Sequence, residues 1–472
     1  MLKPRGFALA ASLSMLSAAC ATYRAEPIAP QQTAAALDAR TFNDPRLMAF
    51  IDATAPRQPQ PASTWNLETL TLAALYFHPD LEIAYAKLSV AEAAIRTAAQ
   101  IPNPTFNLTP QFNATSANPT AWTVGTAINL LLELFGKRAA RTEQARALAE
   151  AARFDLATAA WQVRGRVRSA LLDFWAAQQN VALSQQRLEL QNQLVGFLER
   201  RLAVGEASGL DVARERVNQD QFALAVQDAR RDSADARAVL ATAVGVPLQA
   251  LNGVDPDLGA VTGAVAPPPA TIGLLRREAL TRRSDITSSL RQYQAAQAAL
   301  KLQIANQYPN LTLGPGYSYD QGDSKFSLAA TIDLPIFNQN QGQIAEAAAR
   351  RRQAAANFMG LQAQIIGQVD RARTAYGSTT QSLAVADALL AQQGGRQGRT
   401  RDLFRAGQID HVTLLAGDLE VATTKISRLQ ALVSQRRALG QIEDALQQPI
   451  FVPVTPIPPP GVRSDARTEP AQ

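Results

Sequence analysis

The feature that most limits the fold is a change of rhythm that occurs twice. In "IDLPIFNQNQGQIAEAAARRR", Ile332 to Arg352, the chain alternates apolar and polar residues up to Phe337. From about Gln341 it becomes a long Ala- and Arg-rich helical pattern. "INLLLELFGKRAARTEQARAL", starting at Ile128, does the same about two hundred residues earlier. The duplication extends further. "ALYFHPDLEIAYAKLSVAEAAIRTAAQIPNPTFNL" (Ala74 to Leu108) matches "ALTRRSDITSSLRQYQAAQAALKLQIANQYPNLTL" (Ala279 to Leu313). Phe135 corresponds to Phe337 and Gly205 to Gly407, both at an offset of 202, so each half holds the same 70-residue span from Phe to Gly. Two copies of one supersecondary unit fix the architecture before any single element is read.

Those spans read as rods. Val167, Phe174, Val181, Leu188, Val195 and Leu202 recur every seventh residue. Their counterparts, Val369, Tyr376, Leu383, Leu390, Gln397 and Phe404, are apolar in all but Gln397. A seven-residue repeat of this length means helices packed as coiled coils. At about 1.5 Å per residue each rod reaches roughly 105 Å, more than a compact globule needs. A second helix follows each glycine turn, over roughly 210–244 and 412–446.

Strands lie at the other end of the rods. "TFNLTPQF", "AWTVGTAINL", "LTLGPGYSYD" and "KFSLAATIDL" (residues 105–112, 121–130, 311–320 and 325–334) each alternate a greasy and a wet face. In a soluble sandwich the greasy face is core; in an outer-membrane barrel it faces lipid and the wet face lines a lumen. An open sheet edge cannot sit in hydrocarbon, because its backbone groups go unpaired. Four strands cannot close a barrel, eight fill their own interior, and three chains give twelve, the smallest open solution. Lys325, Asp320 and Asp333 then face inward, since a lipid-facing Lys near midplane costs about 2–4 kcal/mol. The strand ends where the membrane ends, and Pro335, which cannot continue a ladder, marks the change of material.

The ends of the chain suggest export. Lys3 and Arg5 precede an apolar run from Phe7 to Leu16, then Ser17, Ala18, Ala19 and the single cysteine, Cys20. This is the charged–apolar–small layout of a secretory signal, too short to span a bilayer. Cys20 sits where a lipoprotein signal places its lipid-bearing cysteine, although Leu16 lies one place further away than usual and Ser17 takes its position. Cleavage beside an incidental cysteine is the alternative. The reading divides the chain into a signal peptide (1–19), a lipid-anchored extended strap (20–63), a first repeat (64–246), a linker (247–270), a second repeat (271–448) and a Pro-rich disordered tail (449–472). The net charge of +6 is spread along helical faces among acids, not gathered into a nucleic-acid patch.

With its duplicated order, its two Pro-Asn junctions, "DLPIF" and its two glycine turns, the chain resembles the TolC-type outer-membrane efflux channel family over nearly all of residues 64–448. "ELFGKRAAR" is similar to the junction of the heavy-metal efflux branch, while the lipid-anchored drug-efflux branch suits Cys20 equally. The resemblance implies a mostly α fold: a homotrimer with a 12-stranded membrane barrel and a long periplasmic helical barrel. It implies a passive exit duct for small molecules or metal ions, partnered by a periplasmic adaptor, an inner-membrane efflux transporter and outer-membrane lipid. It also implies acids at the tunnel tip. Asp211 lies six places after Gly205. Thr413 and Ala416 stand where family members often carry aspartate, leaving Asp410, Asp418 and Glu420 as substitutes. A trimer would make each acid a ring, or these acids simply complement helix starts. Phe135, Gly136, Pro335 and Phe337 form the strand-to-helix junctions. Two histidines, His78 and His411, stand 333 positions apart and form no metal or catalytic cluster with the lone cysteine, so no cofactor is expected. A coiled-coil envelope scaffold without transport is the competing class; a soluble enzyme is the third.

Overall fold

The computed structural model describes residues 23–54, 64–114, 121–257, 259–263, 266 and 268–451. The expected signal peptide, Cys20 and nearly all of the Pro-rich tail lie outside them. So does part of the expected strap, whose described portion is not simply extended. It forms α1 (Pro30–Asp38) and α2 (Pro45–Thr54). Proline was the source of the difference: it breaks helix interiors but is pre-set for a helix's first turn, where Pro30 and Pro45 stand. Leu47, Phe50 and Ile51 then bury one face of α2.

The first repeat runs β1 (Thr64–Trp65), α3 (Leu67–Phe77), α4 (Pro79–Ala99), β2 (Thr105–Phe112), β3 (Trp122–Leu132), α5 (Lys137–Ala203) and α6 (Gly209–Val244). A 3-10 turn (Leu248–Leu251), β4 (Asp255–Pro256) and α7 (Gly259–Gly263) follow. The second repeat runs α8 (Pro269–Arg282), α9 (Ser284–Ala305), β5 (Leu311–Asp320), β6 (Asp323–Ile332), α10 (Gln341–Arg405) and α11 (His411–Leu446). The stretch between the repeats is docked, because β4 pairs in parallel with β1.

The rods are α5, 67 residues, and α10, 65 residues, each about 100 Å long. The two repeats are not superposable throughout. The helix-start residues Gly136 and Asn340 are 204 apart, against 202 for the turn glycines. The "NQNQ" segment takes up two extra residues before α10 begins, which is why α10 is shorter. Each rod turns back through a left-handed glycine, Gly205 (φ 77) or Gly407 (φ 70), a conformation that costs side-chain-bearing residues about 1 kcal/mol or more. Ser208 and Asp410 then cap α6 and α11 by accepting backbone N–H groups.

The four long strands form one antiparallel sheet in the order β2-β3-β5-β6. β6 begins two residues earlier than its alternation suggested, because the β5–β6 hairpin turns on only Gln321 and Gly322, both with positive φ. The main core lies midway along α5, where Leu156, Val163, Val167 and Leu171 pack against α2, α3 and the ends of α6 and α11. Among the described residues no helix is long and apolar enough to cross a membrane.

Candidate conduit: sheet, junction and tip

Residue pairing sorts the sheet into two chemistries. In register, Phe106 faces Ile128, Leu108 faces Thr126, and Phe112 faces Trp122. Tyr317 faces Phe326 and Leu311 faces Ile332. This face is exposed: Phe326 and Leu328 are 85% and 72% accessible. Near the hairpin ends it carries two aromatic pairs, Phe112–Trp122 and Tyr317–Phe326, with centroids 5.2 and 5.3 Å apart. The opposite face carries Thr105, Asn107, Thr109 and Gln111 on β2, and Lys325, Ser327 and Thr331 on β6. Glycines on that face make room for neighbouring polar groups: a Cβ on Gly125 would lie 2.6 Å from Thr109 Oγ1, and one on Gly314 2.6 Å from Asn129 Oδ1. At its outer end Asn113 donates to Thr123 (3.1 Å), Thr123 to Asp320 (2.8 Å) and Lys325 to Asp320 (2.7 Å). The expected common face for Asp320 and Lys325 is therefore present as an ion pair. Ten residues of strand tilted about 40° rise roughly 25 Å, the height of an outer-membrane apolar band.

The junctions are built differently in the two repeats. Phe135 (φ 58) and Gly136 (φ 73) are consecutive left-handed residues that swing the chain from β3 into α5. Such a backbone at a phenylalanine is strained, and the surroundings hold it. Phe135 stacks on Tyr308 at 4.4 Å. The buried Lys137 ammonium donates to Tyr308 O and Asn310 Oδ1, both at 2.7 Å. Burial pushes its pKa below the ordinary value, against the pull of Glu133. Arg141 clasps Glu133 (2.8 Å) and reaches Ala98 O (2.9 Å). In the second repeat Asn340 (φ 66) makes the left-handed turn, and Asn340 Nδ2 donates to Gln303 O at 2.7 Å. Pro335 lies past the last ladder pair, spanned by an Ile336 N–H to Leu334 O bond of 2.8 Å. Phe337 is 99% exposed.

At the tip the four candidate acids fall into two kinds. Asp410 caps α11 through Thr413 and meets Arg201 at 3.3 Å. The Thr413 hydroxyl, then its N–H, then Arg201 hold the Asp410 carboxyl below its usual range. Asp418 turns into the seam between α10 and α11, bonded by Gln397 and, at 3.2 Å, by Arg401. Gln397, the one polar residue in the second heptad series, is thus Asp418's partner. Glu420 is exposed, 3.9 Å from Arg396. Asp211 is exposed in the first turn of α6. His411 sits between the rings of Phe197 (5.1 Å) and Phe404 (5.4 Å). His78 accepts the Asp80 N–H at the start of α4.

A buried ionic knot, invisible as a motif, ties the repeats together midway along the rods. Glu443, fully buried, bonds Arg164 and, at 3.1 Å, Arg168; Arg168 also bonds Asp444 at 2.6 Å. Gly440 and Gly165 make it fit, since a Cβ on either would lie 2.8–2.9 Å from Arg168 or Asp444. Its one sequence trace is a pair of glycines inside otherwise strong helices.

An open sheet with one greasy and one wet face, joined end-on to paired rods of about 100 Å, is the protomer fold of TolC-type channels. Residues 72–246 match the outer membrane efflux protein family. The chain is 27% identical over 267 residues to the cobalt-zinc-cadmium resistance protein CzcC of Cupriavidus metallidurans, covering 56% of this chain and 62% of that one. It is 26% identical over 420 residues to the pyoverdine export outer membrane protein OpmQ of Pseudomonas aeruginosa, covering 79% of this chain and 85% of that one. The outer-membrane channel OprN shares the fold with a TM-score of 0.66 at 20% identity, covering 82% of this chain and 91% of that one. That family match lies within the first repeat, and the likeness to OpmQ and to the OprN fold extends over most of the chain.

Proposed function

We propose that three copies of this chain form one continuous tube, a passive exit duct across the outer membrane, supplied by a periplasmic adaptor and an inner-membrane efflux transporter. The observation that carries the reading is the sheet. Its outer strands, β2 and β6, have free edges, and each unpaired backbone group in hydrocarbon costs several kcal/mol. An edge of eight to ten residues turns roughly half its groups outward, so closure by further copies is worth tens of kcal/mol. Twelve strands keep the wet face around a lumen.

The neighbours in sequence are named for metal resistance and pyoverdine export. The wet face here, mostly Thr, Ser, Asn and Gln, suits hydrated cargo without binding it. The repeats 64–246 and 271–448 are the two structural units of each protomer, and Cys20 is the attachment point for a lipid anchor. In this reading Asp211, exposed at the tip, and Glu420 are the acids that face the passage, while Asp410 and Asp418 set its shape. Purified protein in a planar bilayer will pass ohmic, stepwise current. Asp211→Asn will weaken cation preference with the seam intact. Asp418→Asn will alter conductance by loosening α10 from α11, and Arg401→Ala will reproduce it; an unchanged current in both would remove Asp418 from the tip. A coiled-coil scaffold would pass no current at all.

A further inference from the structure

We infer that Phe337 of one copy seats against the Ile101–Pro102–Asn103 corner of the next, and that this contact sets the register in which β6 and β2 pair between copies. The inference rests on the trimeric reading above.

Within one protomer the second repeat caps the first. Residue numbers in every β3/β5 pair add to 443, as in Leu132–Leu311 and Thr123–Asp320. Phe135 and Tyr308 add to the same number, so their stack continues that ladder past its last pair. The equivalent surfaces at the open ends lack this cover. Phe337 corresponds to Phe135 at an offset of 202, and Ile101–Pro102–Asn103 to Tyr308–Pro309–Asn310 at an offset of 207. Both are bare: Phe337 is 99% exposed and Ile101 67%. Each is half of a contact that Phe135 and Tyr308 complete between the two repeats.

These offsets agree with the hairpin registers, as do the 205 of the preceding helices and the 204 of the rod starts, and the junction contact selects the first pair. Pair numbers add to 234 in the β2/β3 hairpin and to 643 in the β5/β6 hairpin, a difference of 409, which equals 207 plus 202. The hairpins therefore superpose residue for residue under the same two motif alignments. Carrying the β3/β5 relation to β6 and the next copy's β2 adds 202 and subtracts 207, so paired numbers there add to 438. That puts Ile332 opposite Phe106 and Phe326 opposite Phe112 on the greasy face, and Thr331 opposite Asn107 and Ser327 opposite Gln111 on the wet face. In these pairs no polar residue is turned toward lipid. The ladder then advances one residue per strand around the ring. A stagger of about 3.3 Å per strand spacing of about 4.7 Å is a tilt near 35°, within the range of membrane barrels. Where the first repeat is latched by Lys137, the second has Gln339, ahead of its helix; Asn340 holds that junction to Gln303 within the protomer, which leaves Phe337 for packing between copies.

Paired cysteines test the inference in the full chain in detergent, with oligomeric mass measured alongside by light scattering. Ile101→Cys with Phe337→Cys, and Asn107→Cys with Thr331→Cys, are expected to give covalent dimers and trimers on mild oxidation. Gln111→Cys with Thr331→Cys, four residues out of register, is expected to give at least tenfold less. Single-cysteine chains report any disulfide made by Cys20, and their mass shows that each variant assembles. A trimeric mass with cross-linking only in the shifted pair overturns the register and leaves the trimer standing. The absence of a trimeric mass in every chain overturns both.

Discussion

Glu443 shows how a single side chain joins the two repeats. Its carboxylate is fully buried between Arg164 and Arg168, and the charges are matched only while these three and Asp444, bonded to Arg168, are all present. Removing one partner from such a buried set costs about 3–5 kcal/mol, and Glu443→Gln is expected to lower stability by that order in denaturant titration. His78 gives a pH-dependent counterpart. Burial, then Arg166, holds its pKa below the ordinary value, outweighing Asp80. The folded state therefore takes up its proton later than the unfolded chain. The associated stability is complete above the unfolded pKa near 6.5 and is lost as pH falls from there through the folded pKa. Melting followed by circular dichroism at pH 7.5 and 5.5 should show a drop that His78→Asn, still able to cap the helix, reduces. Neither role was legible in the sequence. A lone histidine and an Arg-Gly-Arg-Val-Arg run carry no sign of their partners, which arrive from as far as 279 residues away.

Elements were far more legible, because periodicity reports burial directly. The strands read from alternation and the return helices read after each glycine lie within about two residues of their observed bounds. The shortfalls have physical causes. α1 and α2 were hidden by prolines that sit at helix starts. The heptad series marked the seams but not the polar bond inside one of them, Gln397 to Asp418. The shift in α10 was hidden because an asparagine replaces the glycine that opens α5. The latch at the first junction leads to an element-level expectation. Lys137 makes two charge-assisted bonds to the chain before β5, each worth about 1.5–3 kcal/mol. Lys137→Ala should detach the start of α5 from that corner, read as faster amide exchange confined to residues 135–145 and 306–312. Protection unchanged there would mean that the Phe135–Tyr308 stack holds the junction alone.

For the whole molecule, the chemistry of one sheet decides between a water-filled tube in lipid and a soluble packing of the same strands. Both place one face against apolar matter; only the tube leaves the other face wet while the first is in hydrocarbon. The most direct measurement is cysteine accessibility along β6 in liposomes, from Ser324 to Thr331, using a membrane-impermeant thiol reagent. A tube in lipid gives reaction at Lys325→Cys, Ser327→Cys, Ala329→Cys and Thr331→Cys, and protection at Phe326→Cys, Leu328→Cys and Ala330→Cys. Equal reaction at adjacent positions, or protection of both faces, would contradict it.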